Sequence, residues 1–413
     1  MENLARGHWS AQQIKDALHG RTGSREIHFR GDVIRNGAKL KEITLGRGSS
    51  VAMDATAEIM QTGRFVLYEE LDWLIDQIKP YMLLRMEDAI TVSSFVFASW
   101  NQRDALKWSW DQWDAKGYTW DQLDAGQVDE TTVTPRYAEF ALGVYIPSTP
   151  LPSRTDGIRI IEVEGYDRTV ILREDCLDTP LYMAGDSLYL DQVQAVLVSA
   201  GITNVLFYDY ITTALPAGRE FEIGTSKLEI VNTLLSEINY EKIRCDADGN
   251  FIVEAKKIPS PSKIDYTYAA NEMSVMSADV STELDLYNVP NVFVGICSNP
   301  DLDQDYYSVY VNDNPISKLS TVRRGRRIVA IYQFDQIASQ EDLDAAIALK
   351  AFEANQVEET IIFYSALMPI HGHKDTLALE HPDAQGTVVQ SKWEIPLEVG
   401  GRMTHTTERL VIV

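Results

Sequence analysis

Gly218-Arg-Glu-Phe-Glu-Ile-Gly-Thr-Ser-Lys-Leu-Glu-Ile-Val-Asn-Thr-Leu-Leu-Ser-Glu-Ile-Asn-Tyr240, followed by Asp246-Ala-Asp-Gly-Asn250 and Phe251-Ile-Val253, is the stretch on which the reading of this chain turns. Ser226 stands where a helix N-cap is wanted, and Glu229 three residues on completes the pattern of a capping box. Leu228, Val231, Leu235 and Ile238 follow at 3-4-3 spacing, which lines up one apolar face. Residues 246–250 are turn chemistry between 240–245 and 251–254, so the pattern predicts a hairpin after the helix. On either side the pattern changes to strands of another kind. The unit therefore reads as a joint between two larger β-bodies.

Toward the C-terminus, strands are expected at 292–298, 306–312 and 327–334. A helix opens at Ser339-Gln-Glu-Asp342, with Leu343, Ile347, Ala351 and Ala354 on one face. Further strands follow at 360–364, 376–380, 386–396 and 404–413. Toward the N-terminus, residues 185–201 repeat the strand-then-helix theme, with Leu190, Val193, Leu197 and Ala200 at helical spacing. Gly185-x-Ser187 echoes Gly224-x-Ser226, which suggests a duplicated small α/β motif. Before it, strands are expected at 26–30, 40–45, 51–61, 65–68, 82–86, 137–146 and 158–166. Asn36-Gly37 marks a hairpin, 147–157 a long Pro- and Gly-rich loop, and 69–78 a helix or irregular crossover. Residues 10–19 form a short helix capped by Ser10 and closed by Gly20. Residues 98–127 hold five of the eight tryptophans (Trp100, Trp108, Trp110, Trp113, Trp120). There Trp110-Asp-Gln-Trp-Asp-Ala-Lys-Gly117 is echoed by Trp120-Asp-Gln-Leu-Asp-Ala-Gly126.

Composition narrows the function. With 413 residues, 45% hydrophobic and 24% charged, the chain has material for roughly two to four domains. Its net charge of −24 argues against nucleic-acid or anionic-membrane binding as a main role. Three cysteines far apart in sequence (Cys176, Cys245, Cys297) suit a reducing compartment better than a disulfide framework. Met1-Glu-Asn-Leu-Ala-Arg lacks the basic and apolar regions of a signal peptide, and no apolar run approaches the ~20 residues of a membrane span. The chain is expected to be made in the cytosol.

Several stretches carry residue types that could support chemistry. Asp246, Asp248 and Asn250 imitate the start of a calcium loop, but Phe251 and Lys257 occupy the positions that need glycine and glutamate. A plain hairpin turn is the better reading. His371-Gly-His373, with Asp375 and His381 nearby, could hold a metal, since residues two apart in a strand share a face. It lacks the helical His-Glu-x-x-His arrangement and sits in a loop after Met368-Pro369, so a solvated turn is the better reading. No nucleophile elbow, phosphate-binding loop or dinucleotide fingerprint is present. Trp110, Trp113 and Trp120 fit either a glycan platform or aromatics pinned into a core. Arg323-Arg-Gly-Arg-Arg327 stands out in an acidic chain. It is either a solvated charge run or a subunit contact that pairs with carboxylates of a neighbour.

The order of parts resembles the tail hub or baseplate hub proteins of tailed bacteriophages and related prophage particles. The stretches that carry the resemblance are Phe140-Ala-Leu-Gly-Val-Tyr145 with Val163-Glu-Gly-Tyr-Asp167, and the helix unit 224–240 with Asp248-Gly-Asn250. To these add Asp285-Leu-Tyr-Asn-Val-Pro-Asn-Val-Phe293, Ser320-Thr-Val-Arg-Arg-Gly-Arg326 and Trp393-Glu-Ile-Pro-Leu-Glu-Val-Gly-Gly-Arg-Met-Thr-His-Thr406. The resemblance spans roughly residues 25–413. It implies a mainly β fold with α+β insertions, in which two tube-like antiparallel β-barrels flank small α/β domains. The expected division is an N-terminal arm (1–24), a first barrel (25–175) with the Trp-rich insert 98–128, small α/β connecting domains (176–285) and a second barrel (286–413).

The resemblance also implies a homotrimer that closes a sixfold tail tube, six similar barrel edges meeting six subunits. Implied partners are the tail tube or distal tail protein ring, the tape-measure protein and tip or fibre proteins. DNA would pass through an acidic lumen without specific binding during genome ejection. The place is the virion tail, assembled in the host bacterial cytoplasm. Arg323, Arg324, Arg326 and Arg327 are the expected subunit contacts, and no catalytic residue, cofactor or metal is expected. Longer members carry a C-terminal wall-degrading domain that the sequence does not show after its second barrel. The alternatives are a wall hydrolase or metalloenzyme centred on His371, His373 and His381, and a glycan or receptor binder using the tryptophans.

Overall fold

The computed structural model describes residues 4–23, 25–96, 109, 111–112, 127–155, 157–256, 260, 262–271, 274–283, 289–298, 305–317, 319–356 and 359–409. The described chain is mainly β with α+β insertions. It divides into two compact units, one holding His28–Met82 and Phe140–Val413, the other Ala5–Ile27 and Leu83–Glu139.

In the smaller unit, α1 (Ala11–Leu18) begins at a reciprocal capping box. Ser10 Oγ accepts from the Gln13 N–H at 3.3 Å, and Gln13 Oε1 accepts from the Ser10 N–H at 2.8 Å. Ile14, Ala17 and Leu18 form its buried face. The remaining described part is carried by two long paired strands, β5 (Gln77–Val96) and β6 (Gln127–Ala141), both longer than the sequence suggests. The tryptophans Trp100, Trp108, Trp110, Trp113 and Trp120 lie outside the described residues.

In the larger unit, β1 (Ile27–Arg35) turns into β2 (Ala38–Ile43) through Asn36 and Gly37. Their φ angles of 51° and 76° are those of a type I′ turn, which few residues other than Asn and Gly tolerate. After β3 (Ser50–Asp54) and β4 (Gln61–Leu67), residues 68–76 cross over without a helix. The segment 147–157, expected as a loop, instead holds a strand. β7 (Tyr145–Pro147) is followed by β8 (Leu151–Thr155), which pairs antiparallel with β9 (Ile158–Asp167) from Leu151↔Glu162 to Thr155↔Ile158. Pro152 is tolerated because β8 pairs on one side only.

Next come α2 (Val170–Glu174) and a small α/β body. It comprises β10 (Leu181–Met183), α3 (Tyr189–Ser199), β11 (Val205–Phe207), β12 (Arg219–Phe221), α4 (Lys227–Glu237), β13 (Arg244–Cys245) and β14 (Phe251–Val253). β10 pairs antiparallel with β12, and β11 runs parallel to β14, so two strand–helix–strand halves lie side by side. Ser226 Oγ caps α4 by accepting from the Glu229 N–H at 3.1 Å. In the other half the cap has slipped by one residue: Leu188 is the N-cap, and Ser187 donates to the Ala184 carbonyl at 2.6 Å. Leu190, Val193 and Leu197 of α3 meet Leu228, Val231 and Leu235 of α4 in one core with Phe251 and Val253.

The C-terminal half opens with β15 (Tyr266–Ala269) and β16 (Met276–Glu283). A separate three-stranded sheet follows, β17 (Val292–Cys297), β18 (Tyr306–Val311) and β19 (Val329–Phe334) in the order β18-β17-β19. The short helix α5 (Thr321–Arg324) lies before β19. α6 (Gln340–Gln356) covers one face of that sheet through Leu343, Ile347 and Ala351, with Ala354 partly buried against the same cluster, the four residues expected there. Gly295 permits the approach, since a Cβ on it would sit 2.5 Å from Ile347. β20 (Thr360–Ala366), β21 (Thr376–His381), β22 (Ala384–Pro396) and β23 (Arg402–Arg409) then return to the large sheet. Its order is β16-β20-β23-β22-β3-β4-β9-β7-β5-β1-β2, so C-terminal and N-terminal strands are zipped together where β22 pairs with β3.

Leu235 is fully buried at the centre of the α3/α4 core. Leu235→Ala is expected to lower unfolding free energy by about 2–5 kcal/mol, the cost of the lost burial plus the cavity. A urea titration measures it.

Candidate functional site

The hairpin of residues 240–254 makes more cross-body contacts than its length suggests. Its turn is built by Asp246. One carboxylate oxygen accepts from the N–H of Asp248 (2.9 Å) and of Asn250 (2.8 Å), and the other accepts from Asn250 Nδ2 (2.9 Å). The carboxylate is occupied by its own turn, the hairpin that the sequence favours over a calcium loop. Gly249 lies at φ 84°, and a Cβ there would come within 2.8 Å of Val144.

From this hairpin, bonds run both ways. Toward the N-terminal strands, Gln61 Nε2 donates to the Cys245 carbonyl (3.0 Å), the Gly143 N–H to Ala247 (3.2 Å), and Lys79 Nζ to Asp248 (2.7 Å). Toward the C-terminal half, Glu241 lies 3.1 Å from Lys374 Nζ and 3.4 Å from His373 Nε2, and Lys256 pairs with Glu353 of α6 at 3.2 Å. Burial raises the Glu241 carboxyl, but the His373 hydrogen bond and the Lys374 charge outweigh it and hold the pKa at about 2. Burial pushes His373 the other way, below the usual imidazole range, and Glu241 offsets only part of that. At the C-terminal end of α4, Arg219 bridges Glu237 (2.6 Å) and Asp335 (3.0 Å), tying the α/β body to the sheet that α6 covers.

Residues 371–374 lie in a loop, as expected, but the loop is not solvated: His371 is buried and Gly372, His373 and Lys374 are half-buried. His371 directs Nε2 to the Tyr268 hydroxyl (2.6 Å) and Nδ1 to Asp375 (3.2 Å), whereas His373 turns to Glu241. His381 sits in β21, its Nδ1 accepting from the Asp383 N–H at 3.2 Å. Each imidazole has its own partner, and among the described residues no three potential ligands converge as a metal site would require. His405, which the sequence did not single out, is fully buried. It stacks on Phe363 at 4.4 Å and lies 2.7 Å from Ser365 Oγ. A cavity of about 540 Å³ adjoins this region, lined by Gln61, Glu241, Arg244, His373 and Trp393 among others.

The arginine run is presented by a built loop. Ser320 Oγ caps α5 by accepting from the Arg323 N–H at 3.2 Å, and Gly325 ends it in the left-handed region at φ 62°. Asn291 is fully buried. Its Nδ2 donates to the Leu319 and Arg326 carbonyls (3.2 and 3.0 Å), and its Oδ1 accepts from the Ile328 N–H at 2.8 Å. Arg324 folds back to donate to the Val289 carbonyl at 2.9 Å. Arg323, Arg326 and Arg327 are exposed, and among the described residues none has a carboxylate within ion-pair distance. The supporting Asn291 was invisible to the sequence reading, because a lone Asn beside an apolar run looks like any other turn residue.

No family model matches the sequence, and no curated protein matches it. Solved structures do. The tail protein from Neisseria meningitidis MC58 has a TM-score of 0.56 at 11% identity, over 92% of this chain and 97% of that one. The fold is that of phage tail proteins. The prophage MuSo2 43 kDa tail protein from Shewanella oneidensis gives 0.54 at 9% identity, covering 92% and 98%. Prophage tail protein gp18 from Listeria monocytogenes EGD-e gives 0.51 at 8%, covering 92% and 94%. At these identities the likeness is one of fold, and it agrees with the resemblance read from the sequence.

Two outcomes follow from the site geometry. Glu241 has a depressed folded pKa, so its contribution to stability is full above the unfolded carboxylate value and is lost as pH falls toward about 2. The stability advantage of wild type over Glu241→Gln should therefore shrink between pH 5 and pH 2 (roughly the window set by the two pKa values), as read by urea midpoints. Asn291→Ala strips partners from two carbonyls and one N–H. It should cost ~1–3 kcal/mol and speed tryptic cleavage within 323–327.

Proposed function

We propose that the protein is a structural, non-catalytic component of a phage or prophage tail tip or baseplate: a trimeric hub that closes the sixfold tail tube. The observation that carries this reading is the likeness to three tail proteins over more than nine-tenths of both chains. In this reading residues 25–175 and 286–413 supply the two tube-like bodies, 176–285 connects them, and 1–24 with 98–128 are additions. Two such bodies per chain in a trimer offer six similar edges to a sixfold ring. The partners are the tail tube or distal tail ring on one side and tip or fibre proteins on the other, with the tape-measure protein and then DNA passing within. The −24 charge suits a passage to which DNA does not adhere. Exposed Arg323, Arg326 and Arg327, held on a rigid loop in so acidic a chain, favour the subunit-contact role over a solvated run. The place of action is the virion, after assembly in the host cytoplasm.

Light scattering of the purified chain, alone and with its tube partner, tests the reading. A trimer is expected, and Arg323→Glu/Arg326→Glu/Arg327→Glu should weaken it by about tenfold or more, with the wild-type contact loosening as salt rises. A monomer indifferent to tube and tip proteins sinks the proposal.

A further inference from the structure

α6 covers one face of the β18-β17-β19 sheet; on the other face, Val292 between Val311 and Val329 is buried, but the outer strands β18 and β19 leave their apolar side chains exposed among the described residues. The centre of that other face is a cross-strand row in register, Val309 of β18, Val294 of β17 and Ile331 of β19. Val311 and Val329 continue it on one side and Tyr307 on the other, and Ile331 and Tyr307 are 63% and 62% exposed. A contiguous apolar face of this kind on a soluble protein marks an interaction surface. At the Val311/Val329 end stand Arg323, Arg326 and Arg327, exposed and without carboxylate partners among the described residues. The surface is thus apolar with a cationic end, and it fits an apolar segment that carries carboxylates.

The same chain offers such a segment. Tyr68-Glu-Glu-Leu-Asp-Trp-Leu-Ile75 crosses over without regular structure, holds three carboxylates and no basic residue, and leaves Leu74 94% exposed with Tyr68 and Ile75 about half exposed. Glu69 and Glu70 pair with Lys41 and Arg159, but these are exposed ion pairs worth ~0–1 kcal/mol and are readily exchanged. Both surfaces face solvent in one copy.

We infer that the face of β17–β19 opposite α6, with Arg323, Arg326 and Arg327, receives the 68–75 segment of a second copy of this chain. Leu74 and Ile75 then pack on Val309, Val294 and Ile331, while Glu69, Glu70 and Asp72 meet the arginines. The contact is heterologous, two different patches of one chain, which is the kind that closes a ring of three when the rotation fits. The inference rests on the trimeric-hub reading and names the surfaces that join its subunits.

Sedimentation of the full-length chain over a range of concentrations tests it, with Leu74→Asp and Ile331→Asp as separate variants. A third variant joins Leu74→Cys to Ile331→Cys in a Cys176→Ser background, because Cys176 is exposed. Circular dichroism checks that the variants remain folded, as substitutions at solvent-facing positions should. The expected result is a wild-type trimer, each aspartate variant dissociating about tenfold more readily or worse, and covalent trimers of the double-cysteine variant on mild oxidation. A wild-type trimer matched by both aspartate variants overturns the contact and leaves the trimer standing. Disruption by Ile331→Asp alone, without cross-links, means that something other than 68–75 occupies the face, and it overturns the inference as stated. A wild-type monomer at every concentration removes the trimer reading and the contact together.

Discussion

The pairing of β3 with β22 is the constraint on which the larger unit depends. Five residue pairs, from Lys392↔Asp54 to Pro396↔Ser50, join strands that lie at opposite ends of the sequence. Val51, Met53 and Ile395 are buried along this seam, and Lys392 pairs with Asp54 at 2.7 Å. Burial works against ionised Asp54, but Lys392 and the hydrogen bonds from Thr56 prevail and keep its carboxyl below the usual range. The small α/β body and the sheet under α6 are therefore excursions from one continuous sheet rather than beads on a string. Closing so long a loop carries an entropic cost that grows only slowly with length, so a single well-packed strand pair suffices to hold it.

Three charged contacts link the excursions to one another and to the rest of the larger unit. Glu241, His373 and Lys374 form one contact, Lys256 with Glu353 a second, and Arg219 between Glu237 and Asp335 a third. Partly buried ion pairs of this kind add little net stability, because desolvation offsets much of the attraction. Misplacing one partner, however, strands a charge away from water, so few relative placements of the bodies satisfy all three.

Much of the local structure was legible in the residues. Asn36-Gly37 makes a type I′ hairpin, Ser10 and Ser226 cap their helices, and Leu343, Ile347 and Ala351 line one face of α6. These are short-range effects: a side-chain oxygen reaching an N–H three residues away, or a period matched to the helix. The readings that failed were those that depend on distant chain. Residues 151–155 looked like loop because of Pro152, yet an edge strand tolerates a proline. The turn at 371–374 looked solvated because it is polar, yet Tyr268, Asp375 and Glu241 arrive from elsewhere to satisfy it.

Taken by itself, then, the amino-acid sequence determined the capped helices at Ser10 and Ser226, the tight turns at Asn36-Gly37 and 246–250, the acidic composition, and the position of the arginine run. It also gave the helix and the hairpin that follows it within 218–254, because capping and turn chemistry are written in neighbouring residues. Tertiary structure alone decided which strands pair, that β22 seats on β3, that β17–β19 form a separate sheet, and which face of that sheet α6 covers. The physical reason is that alternation along a strand states which face is apolar but not what will cover it. That choice belongs to segments hundreds of residues away, whose register and charge are settled only when they meet.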